Sequence, residues 1–220
     1  MIADRFERLA GGLLYLVCDA LPDARLEGAL RGGVDVVQLR CKQAGDRDVI
    51  ATGRRFAAVC ERYGVPLILN DRPDMVQDAG ADGVHVGQDD VSVERARGLL
   101  GPERIIGLST HTPKQIDLAL ATGVDYIGVG PVHATPTKPG RAAVGTELVA
   151  YAAATAEIPF FAIGGIELST VGAAVAAGAK RIAVVRAITG AVDSESAARE
   201  LRAALPGEVG SAFRAHRARA

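Results

Sequence analysis

Three polar side chains stand two residues apart in the run VVQLRCK (36–42): Gln38, Arg40 and Lys42. On an extended segment that spacing puts all three on one side. An amide and two cations converging on one point form an anion site, in which Arg40 can fork onto two oxygens and Lys42 acts as a point charge. The competing reading is an ordinary solvated strand end, but Arg40 closes a run that is otherwise core-like. Carboxylates come next: Asn70 and Asp71 end ILND, and Asp89 and Asp90 follow GVHVGQ. Oxygen ligands with no histidine–cysteine cluster beside them suit a hard cation, and magnesium typically takes one or two carboxylates, waters and substrate phosphate. Asp71 and Asp90 are therefore candidate Mg2+ ligands. Each could equally serve local structure, Asp71 by starting the turn NDRPD and Asp90 by capping a helix that begins near Val91.

Ser109, in GLSTHT, has neither a GxSxG elbow around it nor a histidine–acid pair spaced to activate it, so it reads as a polar contact and not a nucleophile. His111 is better suited to proton transfer, yet a lone loop histidine is more often simply solvated, and it stays outside the catalytic set. His85, inside GVHVG, reads as a packed, hydrogen-bonded core histidine. The stretch GPVHATPTKPGRAAVG (130–145) offers Thr135, Thr137 and Lys138 between Pro136, Pro139, Gly140 and Gly145, a composition suited to a lid over an anion. AIGGI and VVRAI add Gly164, Gly165 and the Val185–Arg186 backbone, which can bring N–H groups against a phosphate, although glycine pairs also make turns that hold no ligand. Two unequal anion sites emerge, one cationic and metal-assisted, one a neutral backbone cradle. Such a pair fits an enzyme that joins two phosphorylated molecules with diphosphate as leaving group.

These residues need a scaffold that delivers them to one place. Eight short, nearly continuous apolar runs predict strands at 13–19, 34–41, 65–71, 83–87, 104–109, 126–131, 159–165 and 181–187. Helical spacing fills the gaps, as over 47–63, 114–121, 147–155, 169–177 and 195–205. Uninterrupted apolar strands are expected where both faces of a parallel sheet are covered. GGVDVVQLR, GADGVHVG, TGVDYIGVG and GAKRIAVV each set a helix-ending glycine before every second strand, an echo about two βα units apart. The expected fold is a single-domain (β/α)8 TIM barrel over residues 1–205, with the basic residues 206–220 as a frayed tail. An open doubly wound sheet is disfavoured because no GxGxxG follows the first strand. In a barrel, every candidate above falls at the C-terminal rim of the strands.

Composition sets the bounds. With 220 residues and 49% hydrophobic content, the chain can bury one substantial core. Lysine and arginine total 25 against 26 acids, so no overall field favours nucleic acid or an anionic membrane. Three scattered cysteines, Cys18, Cys41 and Cys60, fit neither a disulfide framework nor a zinc site. The apolar run from Leu13 to Cys18 is too short for a membrane span. The expectation is a cytoplasmic protein acting on small molecules, with no nucleic-acid or membrane partner and with its oligomeric state, a homo-oligomer included, left open.

The motifs VVQLRCK, ILNDR, GVHVGQDD, GLSTHT, GPVHATPTKPGR, FAIGGI and VVRAI, in this order, resemble the thiamine phosphate synthase family from about Leu14 to Leu205. The ND, GQDD and TPTK elements are specific together, though weak singly. The resemblance implies condensation of 4-amino-2-methyl-5-hydroxymethylpyrimidine diphosphate with 4-methyl-5-(2-phosphoethyl)thiazole, or its 2-carboxylate, to thiamine phosphate and diphosphate. It further implies a Mg-assisted dissociative step. Position by position, Gln38, Leu39, Arg40, Cys41, Lys42, Asn70, Ser109 and Lys138 look like the pyrimidine diphosphate site, with Arg40, Lys42, Ser109 and Lys138 as the catalytic set. Asp71 and Asp90 look like the Mg2+ ligands. Thr135, Pro136, Thr137, Gly165, Val185 and Arg186 look like the thiazole phosphate site. Cys41 stands where many relatives have glutamate, and Arg186 where serine is common. Two other readings compete: a thiazole tautomerase of the same barrel family, which would not require the cations and paired carboxylates, and a non-catalytic sensor of thiazole or thiamine phosphate.

Overall fold

The computed structural model describes residues 2–135 and 142–207. Pro136, Thr137 and Lys138 lie outside the described residues, as do residues 208–220 of the expected tail. Eight parallel strands run Leu14–Cys18 (β1), Val36–Leu39 (β2), Leu67–Asn70 (β3), Gly83–Val86 (β4), Ile105–Thr110 (β5), Tyr126–Val129 (β6), Phe160–Ile163 (β7) and Ile182–Val184 (β8). They close in sequence order, β8 pairing with β1, which makes the expected TIM barrel. Most are shorter than the apolar runs that predict them, because the residues beyond each end bend into the rim loops.

Outside the barrel stand Asp23–Arg31 (α2), Asp46–Tyr63 (α3), Val93–Leu100 (α4), Pro113–Leu120 (α5), Glu147–Thr155 (α6), Val171–Ala176 (α7), and Arg186–Thr189 (α8) with Ser194–Ala203 (α9). Their starts follow local chemistry. Ser92, Thr112 and Asp193 each accept a backbone N–H from the first turn of α4, α5 and α9, satisfying donors that the helix leaves unpaired. Ser92, not Asp90, is thus the cap of α4. Alternation fails once: between β3 and β4 the chain makes only a 3-10 turn, Pro73–Met75.

The period of two along each strand sorts side chains into two cores. Leu14, Leu16, Val37 and Leu39 point outward into the layer beneath the helices. Tyr15, Val17, Val36, Ile68, Ile105, Tyr126, Phe161 and Ala183 fill the barrel. Burying each aliphatic side chain contributes about 1.5–3 kcal/mol. An unanticipated helix, Ile2–Gly11 (α1), precedes β1 and sets Phe6, Leu9 and Ala10 into the interior cluster, closing the lower end.

The glycine echo has a structural counterpart. Gly33, Gly80, Gly123 and Gly178, before β2, β4, β6 and β8, all have positive φ. Three aspartates follow at the lower rim. Asp35 accepts the N–H groups of Leu13 and Leu14, Asp82 that of Leu67, and Asp125 that of Ile106. Each also faces an arginine: Arg202, Arg5 and Arg97 respectively.

Candidate active site

A cavity of about 550 Å³ opens at the upper rim. It gathers Gln38, Arg40, Lys42, Asn70, Asp71, Asp90, Ser109, Thr135, Gly165, Val185 and Arg186, contributed by strands and loops around the whole barrel. Leu39 and Cys41 are not among its lining: Leu39 is buried in the outer core and Cys41 packs against it. Strand parity turns their side chains away, so only their backbone can serve a ligand there.

The charged side begins just past β2. The Arg40 backbone N–H donates to the Cys18 carbonyl at 2.8 Å, which carries the extended parity of Gln38 beyond the strand end. Lys42 is exposed and sits 3.1 Å from Asp71 Oδ2. Asp71 has φ 63°, the left-handed region that few non-glycine residues enter. Its N–H donates to the His85 carbonyl at 2.8 Å, so β4 holds it there. Asp90 Oδ2 accepts the Gly87 N–H at 2.8 Å and lines the same cavity. Two carboxylates, with neither thiolate nor imidazole beside them in a metal cluster among the described residues, fit a hard cation completed by water and substrate oxygens. Arg72, next to Asp71, leaves the cavity to bind Asp74 and Asp46, and it holds both carboxyls below their ordinary range.

The opposite side is built from backbone. Gly164 and Gly165 have φ 104° and 63°. A Cβ on Gly165 would lie 2.7 Å from the His133 Cβ, so two chain segments meet where only glycine fits. Thr170 Oγ1 donates to the Gly165 carbonyl at 3.1 Å and fixes the turn. Val185 and Arg186 enter the cavity directly after β8, at the start of α8. Arg186 is exposed and is the cation on this side among the described residues lining the cavity.

The floor escaped the sequence reading. Tyr15, Tyr126 and Phe161 line its base, with the Tyr15 and Tyr126 rings edge-on to Phe161 at 5.1 and 5.7 Å. Gly107 makes room, since a Cβ there would lie 2.1 Å from the Tyr126 ring. His85 is hydrogen-bonded as expected, through Nδ1 to Tyr126 Oη and Nε2 to Ser109 Oγ, both at 2.9 Å, but it also lines the cavity. Burial pushes Tyr15 and Tyr126 well above the usual phenol value, so both stay protonated. The signal available in the sequence was a tyrosine at an inward position of an otherwise apolar strand. His111 also lines the cavity, its Nδ1 against the Gly130 carbonyl.

Fold and cavity together define a TIM-barrel enzyme whose ligands are held at the upper strand ends. The thiamine monophosphate synthase family profile matches residues 14–188, and the chain belongs to that family of thiamine-biosynthesis transferases. It is 50% identical over 204 residues to a thiamine-phosphate synthase of Thermus thermophilus, covering 89% of this chain and 98% of that one. It is 48% identical over 201 residues to another from Thermosynechococcus vestitus, where 90% of this chain spans only 57% of the longer relative. Among solved structures, thiamine phosphate pyrophosphorylase from Pyrococcus furiosus superimposes with a TM-score of 0.81 at 29% identity, covering 92% of this chain and 96% of that one. No helix among the described residues is long and apolar enough to cross a membrane.

Proposed function

We propose that the chain is a thiamine-phosphate synthase that condenses 4-amino-2-methyl-5-hydroxymethylpyrimidine diphosphate with 4-methyl-5-(2-phosphoethyl)thiazole, or its 2-carboxylate, releasing diphosphate. The observation that carries this reading is the single cavity in which Arg40, Lys42, Asp71 and Asp90 face the Gly164–Gly165 turn and the Val185–Arg186 backbone. A reaction joining two phosphorylated molecules needs two anion sites within bonding reach of one another, and this cavity offers both.

Gln38, Asn70 and Ser109 hold the pyrimidine, Arg40 and Lys42 its diphosphate, and Lys138 joins them from the loop after β6. Thr135, Pro136, Thr137, Gly165, Val185 and Arg186 hold the thiazole phosphate. Asp71 and Asp90 would hold Mg2+, which supplies charge neutralisation to the departing diphosphate. The pyrimidine methylene C–O bond breaks, its electron pair leaving with diphosphate, and the thiazole nitrogen lone pair forms the new C–N bond. No protein nucleophile is needed. The protein contributes placement of the two partners and cations aimed at the leaving group. Lys42, already beside Asp71, can turn to the diphosphate when its carboxylate partner binds the metal.

The same proposal takes residues 1–205 as one barrel domain with 206–220 as a tail, working in the cytoplasm on small molecules alone. Purified protein, both substrates and magnesium should yield thiamine phosphate and diphosphate in equal amounts. Folded protein that binds both substrates but forms neither product would sink the synthase reading.

A further inference from the structure

Beneath the cavity a hydrogen-bonded chain crosses the barrel from one proposed pyrimidine contact to another. Gln38 Nε2 donates to Tyr15 Oη at 2.8 Å, and Tyr15 Oη meets Tyr126 Oη at 2.8 Å. Tyr126 Oη meets His85 Nδ1 at 2.9 Å, and His85 Nε2 meets Ser109 Oγ at 2.9 Å. Gln38 is 4% exposed and Ser109 9%, and both line the cavity. Four strands besides that of Gln38 supply the links, and no link joins neighbours in sequence.

Each hydroxyl has one proton, and a neutral imidazole has one N–H and one acceptor nitrogen. When every one of these protons is used within the chain, the four bonds point the same way. With Gln38 donating, Tyr15 donates to Tyr126, Tyr126 to His85 Nδ1, and His85 Nε2–H to Ser109. Ser109 then has its own O–H free to donate upward, while Gln38 offers Oε1 as an acceptor beside its second N–H. Reversing the sense exchanges both ends at once and requires a rotated amide, three rotated hydroxyls and the other imidazole tautomer.

We propose that Tyr15, Tyr126 and His85 are positioning residues that set Ser109 as a donor, beside the Gln38 amide, and so select an amino-substituted pyrimidine over its oxo counterpart. The amino group is a donor and the ring nitrogens beside it acceptors, matching the two ends. An oxo ring carries an N–H where the amino ring has an acceptor nitrogen, and this sets donor against the Ser109 donor. Buried polar groups left without partners penalise such a ligand more strongly than a lost contact alone. This proposal rests on the reading of Gln38 and Ser109 as pyrimidine contacts.

The test compares the full-length parent with Tyr126→Phe and Tyr15→Phe, each of which keeps its ring in the aromatic floor and removes one link. Binding of the aminopyrimidine diphosphate and of its 4-oxo analogue is measured by calorimetry, alongside turnover. Removing a link should reduce the amino-over-oxo preference by about tenfold, the equivalent of about 1.4 kcal/mol. The shift should appear in KM for the pyrimidine and leave KM for the thiazole phosphate unchanged. Nitrogen NMR of His85 in the complex should show the Nε2–H tautomer. A preference within twofold of the parent in both variants overturns the proposal, as does an Nδ1–H tautomer. Failure of the synthase reading looks different: a parent that binds the amino ring selectively but makes no thiamine phosphate rejects the activity and leaves the relay standing.

Discussion

Both ends of the barrel set aspartates beside basic residues, yet the two sets are built on opposite principles. At the lower rim, Asp35, Asp82 and Asp125 each take a backbone N–H from a neighbouring strand and face an arginine. At the upper rim, Asp71 is held in left-handed backbone with Lys42 against it, and Asp90 accepts one loop N–H. The lower acids tie one strand to the next, whereas the upper ones line an open cavity. Equal chemistry at two strand ends thus separates into stability below and, on the proposed function, metal binding above.

The comparison is broken most severely from below. Asp125 is 4% exposed and bound to Arg97 at 2.7 Å. Asp125→Ala should lower unfolding free energy by about 3–5 kcal/mol, because Arg97 and the Ile106 N–H lose a buried partner. Chemical denaturation would measure that, and turnover per folded molecule should hardly change. Asp71→Ala should do the reverse: kcat falls by about a hundredfold, together with its magnesium dependence, while stability changes little. A magnesium titration of both proteins checks it. Gly165→Ala, which forces a Cβ against His133, should raise KM for the thiazole phosphate about tenfold and leave the pyrimidine KM alone. Arg186→Ser should raise the same KM about twofold to threefold at low salt, the gap closing as salt is added.

The smallest effect concerns the acids that flank the upper rim. Arg72 holds Asp46 and Asp74 below their ordinary value, so their contribution to stability is present above about pH 3.9 and is lost as pH falls through the lowered values. Arg72→Leu should therefore melt slightly below the parent at neutral pH and converge with it in acid. A gap that widened in acid would reverse the assigned sign.

Much of this was legible because barrel strands announce themselves. Covered on both faces, they read as unbroken apolar runs, and the glycines before β2, β4, β6 and β8 mark the turns into them. Gln38, Arg40, Lys42, Asp71, Asp90 and Ser109 stood out as polar residues where such runs end. What stayed hidden depends on contacts between distant segments. Tyr15 and Tyr126 pass for ordinary core aromatics until β1 and β6 face each other across the barrel. Helix α1 carries helical spacing in Phe6, Leu9 and Ala10, but the hole at the barrel base that it fills is visible only once the strands close. The crossover after β3 carries too few residues for a full helix beside its turns, a shortage of length that periodicity does not register. Leu39 and Cys41 entered the proposed site through their neighbours in a motif, while strand parity points them the other way.

Helix α1 has one more effect. With Phe6, Leu9 and Ala10 at the base of the barrel and the side chains that fill its interior above them, the cavity is a cup. Traffic through a cup is two-way at a single mouth: whatever enters first lies deepest, and a product must back out past the point where the next reactant arrives. Diphosphate and thiamine phosphate would therefore inhibit by occupying the doorway as well as by resembling the substrates.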